Sequence, residues 1–316
     1  MRSFLWRWPE CCLRILRGRH LRGALFLLTA IAGVGFALAS DSVAVEAQEE
    51  YSAYADPERP ALSFVLSKDD YVQEFRVKFG LGEARIEEVR AAILRENEAL
   101  AQASAESEQI IEANEGLPPE EIEEKIAASD YHERVRAAIA ETKSTIESML
   151  SVEQRPELGP WVDAKTAQEA QKAPEIQISG KGRGVVCRVF ATQYNGYTRS
   201  EVALPHKSLK FKGGYTVGIR RGNHATKARV KEVGPWNIRD NYWQSGKNRD
   251  MWGNLKRCTP EAQAAYFDNY NRGKDQFGRK VLNPAGVDLT PRVAGRLGLK
   301  RYENAWVHVR FPWVGR

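Results

Sequence analysis

The chain has 316 residues, 42% of them hydrophobic and 28% charged, with a formal net charge of +6. That balance excludes a disordered chain, a collagen-like repeat and a polytopic membrane protein, and the length allows more than one domain. The modest net charge hides an asymmetry: residues 181–316 carry 27 Lys and Arg against nine Asp and Glu, an excess of +18, which leaves −12 for residues 1–180.

Residues 1–40 read as an address. Arg2, Arg7, Arg14, Arg17, Arg19 and Arg22 precede an uncharged stretch of 18 residues, Gly23 to Ser40. This fits either a signal-peptide core, with Ala37-Leu38-Ala39 as its cleavage site, or a short membrane anchor. Either way, everything after Asp41 is expected outside the cytoplasm, secreted or membrane-anchored, in the periplasm or at the cell surface. Cys11 and Cys12 precede the apolar core, so neither is the acylated cysteine of a lipoprotein, which follows such a core.

Residues 41–81 are expected to be extended or irregular. Over 82–150 the spacing predicts a helical hairpin or coiled coil. Ile86, Val89, Ile93 and Leu100 mark one apolar stripe, Gly116-Leu117-Pro118-Pro119 breaks it, and Ile122, Ile126, Val135, Ile139, Ile146 and Leu150 mark a second. Such a hairpin serves as a spacer or homo-oligomerisation arm, or packs as a solvated accessory to its own domain. Residues 151–182 hold Pro156, Gly159-Pro160, Pro174 and Gly180-Lys181-Gly182 without a sustained period, and read as a linker in which Trp161 packs somewhere specific.

From Val185 the pattern changes to short β-type runs: Val185–Thr192, Tyr215–Arg220, Ala225–Val233 and Ala305–Phe311. This spacing predicts a small barrel or sandwich with its own core. A long insertion, 237–278, is rich in aromatic residues and contains one predicted helix, Pro260 to Tyr270. Cys187 and Cys258, both outside the cytoplasm, are expected to pair and staple this insertion to the first strand. Gly234-Pro235 ends the run through Glu232 and Val233. Further on, Asp288 stands between Val287 and Leu289, just before a helix signal in which Thr290 caps, Pro291 starts and Gly298 stops. With the cap assigned to Thr290, Asp288 becomes a site candidate.

Four phrases in order carry a resemblance: Val-Phe-Ala-Thr-Gln-Tyr-Asn-Gly (189–196), Leu-Pro-His-Lys-Ser-Leu (204–209), Val-Lys-Glu-Val-Gly-Pro-Trp (230–236), and Val-Asp-Leu-Thr with Leu-Gly-Leu (287–299). Together they resemble the double-psi β-barrel of the rare lipoprotein A (RlpA-like) family, related to expansin N-terminal domains and to barrel-type lytic transglycosylases. The resemblance implies a multidomain α + β chain: signal or anchor, helical hairpin, and a C-terminal six-stranded double-psi β-barrel over 183–316 with a long insertion. It implies that Asp288 matches the acid of the cleaving members, His206 a histidine common in the rare-lipoprotein branch, and Tyr194 an aromatic of the first phrase. Glu232 stands where the family usually has Asp, and Val233 where Arg often follows, which weakens a second carboxylate role.

The expected partner is peptidoglycan or another anionic wall glycan. A lytic transglycosylase needs one carboxylate, because the sugar's own 6-hydroxyl attacks, whereas ordinary glycosidases need two. The alternatives are an expansin-like wall-binding or wall-loosening module without turnover, and a helical scaffold that the barrel anchors to the wall. Asp288, Glu232 and His206 are the catalytic candidates. Tyr194, Trp236, Asn237, Tyr242 and Trp243 are the substrate-binding candidates, and Trp252, Tyr266 and Tyr270 extend the aromatic set, of which about half is expected to fill the insertion's core. A lone histidine beside Pro205 is more often a packing residue, and Asp288 itself has a structural reading, satisfied by backbone donors. Neither metal-ligand spacing nor a phosphate-binding glycine loop is present, so no cofactor or metal is expected. No recognised motif points to nucleic acid.

Overall fold

The computed structural model describes residues 51–315 apart from 173–175, 178–183, 197, 199, 213 and 302. The expected signal or anchor, 1–40, lies outside the described residues, as do residues 41–50 and part of the expected linker. Among the described residues no helix is long and apolar enough to cross a membrane.

Six strands close into a barrel: β2 (Val185–Gln193), β3 (Glu201–Leu204), β4 (Thr216–Arg221), β5 (His224–Val233), β6 (Ala285–Leu289) and β7 (Ala305–Phe311). The hydrogen-bonded order is β2-β6-β3-β5-β4-β7, and β7 returns to β2; a two-residue strand, β1 (Ile176–Gln177), adds to β2. The sheet is mixed, with β2 parallel to β6 and β3 parallel to β5, and the remaining pairs antiparallel. Alternation sets the faces. Cys187, Val189, Val217, Ile219, Ala228, Val230, Val307 and Val309 point inward to a buried core, while their neighbours along each strand point outward.

The four β-type runs form as strands within a residue of their expected ends. Strand β3 and the strand character of Ala285–Leu289 carry too few residues to show a period. The Thr290 expectation is only half met. Thr290 occupies the N-cap of α9 (Pro291–Arg296) without a side-chain capping bond. Its hydroxyl instead donates to the Glu201 carbonyl (2.9 Å) and accepts from the Glu201 N–H (3.2 Å), tying β6 to β3.

The helical region differs from the sequence reading at both ends. Residues 61–66 and 69–78 are helices α1 and α2 rather than irregular chain. All six α1 residues are buried, so no polar face betrays the period. In α2, Asp69 and Asp70 open the helix and Arg76 and Lys78 close it, complementing its dipole. Helix α3 (Glu83–Ala113) packs against α5 (Tyr131–Ser148), with α4 (Pro119–Ala127) between them in sequence. Residues 155–171 form α6 instead of a linker. Its buried side is Leu158, Val162, Thr166 and Glu169, a helical spacing in which two polar members hide the stripe. Trp161 does pack specifically, with ring centroids 5.4 Å from Phe75 and 6.2 Å from Phe79.

Helices and barrel belong to one compact unit, Glu50–Arg316. Phe190, on the outer face of β2, meets Phe64 of α1 at 5.3 Å and Trp306 of β7 at 5.5 Å. Glu169, fully buried, accepts from Tyr71 Oη (2.7 Å) and Trp306 Nε1 (2.9 Å), so a polar tie joins α2, α6 and β7. A short helix, α7 (Lys207–Lys212), follows β3, and the insertion holds α8 (Glu261–Asp268), which lies within the predicted helix. Cys187 and Cys258 are joined by a disulfide, their Cα atoms 5.0 Å apart across 71 residues. Cys258→Ser is expected to lower stability by about 3 kcal/mol. Thermal unfolding with and without reductant checks this: the parent should respond to reductant and the variant should not.

Candidate functional site

Asp288 sits on β6 opposite Thr192 of β2 and Ala203 of β3, where a parallel and an antiparallel pairing meet. Its position at a strand end directs the carboxyl to the end of the barrel. Thr192 Oγ1 donates a short hydrogen bond to Asp288 Oδ1. Oδ2 faces Gly234, where an added Cβ would stand 3.8 Å away. By surface area Asp288 is only half-buried, with Thr192, Ala203 and Gly234 beside it. Desolvation pushes its carboxyl up to about 7. The Thr192 bond opposes that rise and the Glu108 carboxylate adds to it.

The open side is a cleft of about 230 Å³ between the barrel end and α3. Asn97, Ala101, Ser104 and Glu108 line it from a single stripe of α3, and Thr192, Trp236, Asn283 and Asp288 from the barrel side. A second cavity of about 470 Å³ shares Glu108, Trp236 and Arg279 as a common wall and continues past Tyr194 and Glu232.

Glu108 is the functional candidate that sequence reasoning missed. Its side chain is 63% exposed, so water reaches it from the cleft mouth. The crowding of the cleft still raises its carboxyl; Arg279 opposes, and Glu112, Glu232 and Asp275 add to the rise. Solvent screening keeps this effect smaller than the surrounding charges suggest. Arg279 fixes the geometry. It is buried, its Nε meets Asp275 Oδ2 at 2.7 Å, Nη1 reaches Ser107 Oγ at 3.2 Å, and Nη2 donates to the Trp236 carbonyl at 2.8 Å. Its Nη1 lies 3.8 Å from Glu108 Oε1. One guanidinium thus clamps α3, the insertion and the turn after β5 together. Ser107 and Glu108 carry no apolar periodicity, and this contact spans 172 positions of sequence, so no local signal announces it.

The other expected site residues separate into cleft and core. Trp236 lines both cavities, its Nε1 donating to Asn283 Oδ1 at 3.2 Å. Its φ of 62° is left-handed, a strained backbone state for a non-glycine residue that tends to mark functional turns. Tyr194 lines the second cavity, and its hydroxyl donates to buried Glu201 at 3.2 Å. Desolvation and then the Glu201 and Asp288 carboxylates push that phenol up. Beside it, Gly196 allows close approach, since a Cβ there would collide with the Glu201 carboxyl and the Thr290 methyl. Glu232 lines the second cavity and accepts from the Val233 N–H at 2.9 Å.

His206 stands apart from both cavities. Its Nδ1 contacts Ser208 Oγ at 2.7 Å, its Nε2 lies 3.7 Å from Asp250, and burial pushes its pKa down. It packs edge-on against Trp243, so the packing reading of this histidine fits its surroundings. Tyr242 and Trp243 are not a sugar platform. Tyr242 is fully buried, donating to the Gly286 carbonyl at 2.9 Å, and Trp243 stacks on Phe311 in the barrel core. Tyr266 is likewise buried. Asn237 lines the second cavity though it is buried, donating to Glu261 at 2.7 Å and accepting from the Gln276 N–H at 3.0 Å, which shapes the insertion. Trp252 and Tyr270 pair edge to face, outside both cavities. Among the described residues, no group of three or more His, Cys, Asp or Glu is placed to hold a metal ion.

A family model described as a domain of unknown function (DUF8814) matches residues 183–310. That stretch takes in the barrel, its insertion and Asp288, and leaves out α3 with its side of the cleft. No curated protein and no solved structure matches the chain.

Proposed function

We propose that the protein is an exported, RlpA-like enzyme of the cell wall, a peptidoglycan lytic transglycosylase with Asp288 as its general acid and base. One observation carries this reading: a carboxyl pushed up to about 7 faces an open cleft beside a tryptophan. The closed six-stranded barrel, with β2 parallel to β6 and β3 to β5, supports the double-psi assignment. In this mechanism protonated Asp288 gives its proton to the glycosidic oxygen as the carbon–oxygen bond breaks. The resulting carboxylate then takes the proton of the sugar's 6-hydroxyl as that oxygen closes on the anomeric carbon. No water is consumed. Thr192 holds the carboxyl in place, burial keeps it protonated near neutrality with a smaller contribution from Glu108, and Glu108 on the facing wall offers negative charge to the cationic transition state.

The reaction begins from the acid, so release of wall fragments is expected to fall as pH rises through about 7. A pH profile of release from insoluble peptidoglycan tests the proposal. Release that climbs steadily through that range would show that Asp288 is not the proton donor. Trp236→Ala is expected to weaken binding to the wall even at high salt, where charge is screened and stacking persists. Unchanged sedimentation with wall material would remove Trp236 from the site.

A further inference from the structure

A second groove, of about 580 Å³, lies on the outer side of the barrel across β4, β5 and β7. Strand register builds its charge. His308 stands opposite Arg188 on one side and Arg220 on the other. One step along, Arg310 stands opposite Val186 and Gly218, and Lys227 opposite Gly218. Residues two apart share a face, so Arg188, Arg220, Lys227, His308 and Arg310 all project outward, and Arg229 and Lys231 extend the set along β5. Strands lie about 4.8 Å apart and alternate residues nearly 7 Å apart, so the Arg and Lys side chains form a two-dimensional array of charge around His308 rather than isolated charges.

The floor is open at Gly218, where an added Cβ would meet only Arg310 Cβ, at 3.8 Å. No Asp or Glu is among the groove's described lining residues. Nor is any Phe, Tyr or Trp, so the groove offers none of the large aromatic platforms on which successive nucleic-acid bases stack. Arg188 leans away at the rim, its guanidinium 5.5 Å from the Trp306 ring centre. None of the groove's lining residues lines either cavity at the barrel end.

We infer that this outer face is a docking track for a phosphate-bearing, base-free polymer of the cell envelope. The planar guanidinium fork at Arg220 suits phosphate oxygens in bidentate contact, and Lys227 and Arg310 add positive charge beside it. The track needs no turnover at Asp288, and it concentrates the chain on its substrate layer. Part of the +18 excess of residues 181–316 thereby has a location.

The test is fluorescence anisotropy of labelled polyglycerol phosphate with the full chain, comparing the parent with Arg220→Gln/Lys227→Gln. Both side chains are exposed, and an unchanged melting temperature confirms folding; Arg220→Lys/Lys227→Arg, which keeps the charge, serves as the second variant. Binding by the double glutamine variant should be weaker by at least tenfold at about 0.1 M salt. Its slope of log affinity against log salt should flatten by roughly two counterions. The charge-keeping variant should retain most of the affinity. Equal binding by parent and glutamine variant overturns the inference, as does tighter binding of polyglutamate or oligothymidylate than of polyglycerol phosphate. Loss of wall cleavage by Asp288→Asn with polymer binding intact would separate this inference from the proposed enzymatic function.

Discussion

Replacing Asp288 with asparagine is expected to reduce release of wall fragments by about 10²- to 10⁴-fold while leaving wall binding in place. Asparagine keeps the shape and still accepts from Thr192, but it cannot carry a proton. Stability gives a separate check on the same residue. Burial raises the Asp288 pKa from 3.8 to about 7, so the folded chain holds a proton that the unfolded chain releases between those values. The native state therefore loses stability as pH rises through that window, and the carboxylate is a burden above it. An uncharged asparagine escapes this burden, so the variant should melt no lower than the parent at alkaline pH. A variant that loses activity because it unfolds would instead mark Asp288 as structural. Glu232→Gln is expected to be much milder, since that carboxylate lies in the neighbouring cavity and accepts from its own strand's backbone.

The largest expected loss of stability comes from Arg279→Met. The side chain is buried and its partner Asp275 is more deeply buried still, so the substitution strands a carboxylate without its cation. Breaking such a pair from one side costs about 3–5 kcal/mol, more than the pair contributes against an apolar replacement. The double variant Asp275→Asn/Arg279→Met should therefore recover part of the loss. Chemical denaturation of the parent, both single variants and the double variant measures the coupling. Additive losses would show that the clamp does not act as a unit. Because Arg279 also holds Ser107 and the Trp236 carbonyl, any folded variant should show a loosened α3 beside the cleft, visible as faster hydrogen exchange there.

The barrel was largely legible because its strands are β-branched runs whose alternation survives in the sequence, as in Val185–Thr192 and Ala225–Val233. Asp288 stood out as a candidate for a different reason: it sits in an apolar setting at a strand-to-helix junction. The helices that complete the cleft were hidden where burial is total, as in α1, or where polar residues share the buried side, as in α6. Aromatic residues of the irregular insertion posed another difficulty. With no strand alternation to set the direction of Tyr242 or Trp243, composition alone could not separate a platform from a core. Glu108 is the plainest case. On a helix rich in Glu it reads as one more solvated charge, and only the tertiary contact through Arg279 places it across from Asp288.

The most direct test of the account is the identity of the sugar ends released from purified peptidoglycan by the parent protein and by Asp288→Asn and Glu108→Gln. A one-carboxylate mechanism predicts 1,6-anhydro ends from the parent, none above background from Asp288→Asn, and the same anhydro ends at a reduced rate from Glu108→Gln. Reducing ends from the parent, lost equally in both variants, would instead make Asp288 and Glu108 the two carboxylates of a hydrolase. No release from any wall preparation, with binding retained, would contradict the enzymatic reading and leave a wall-binding module.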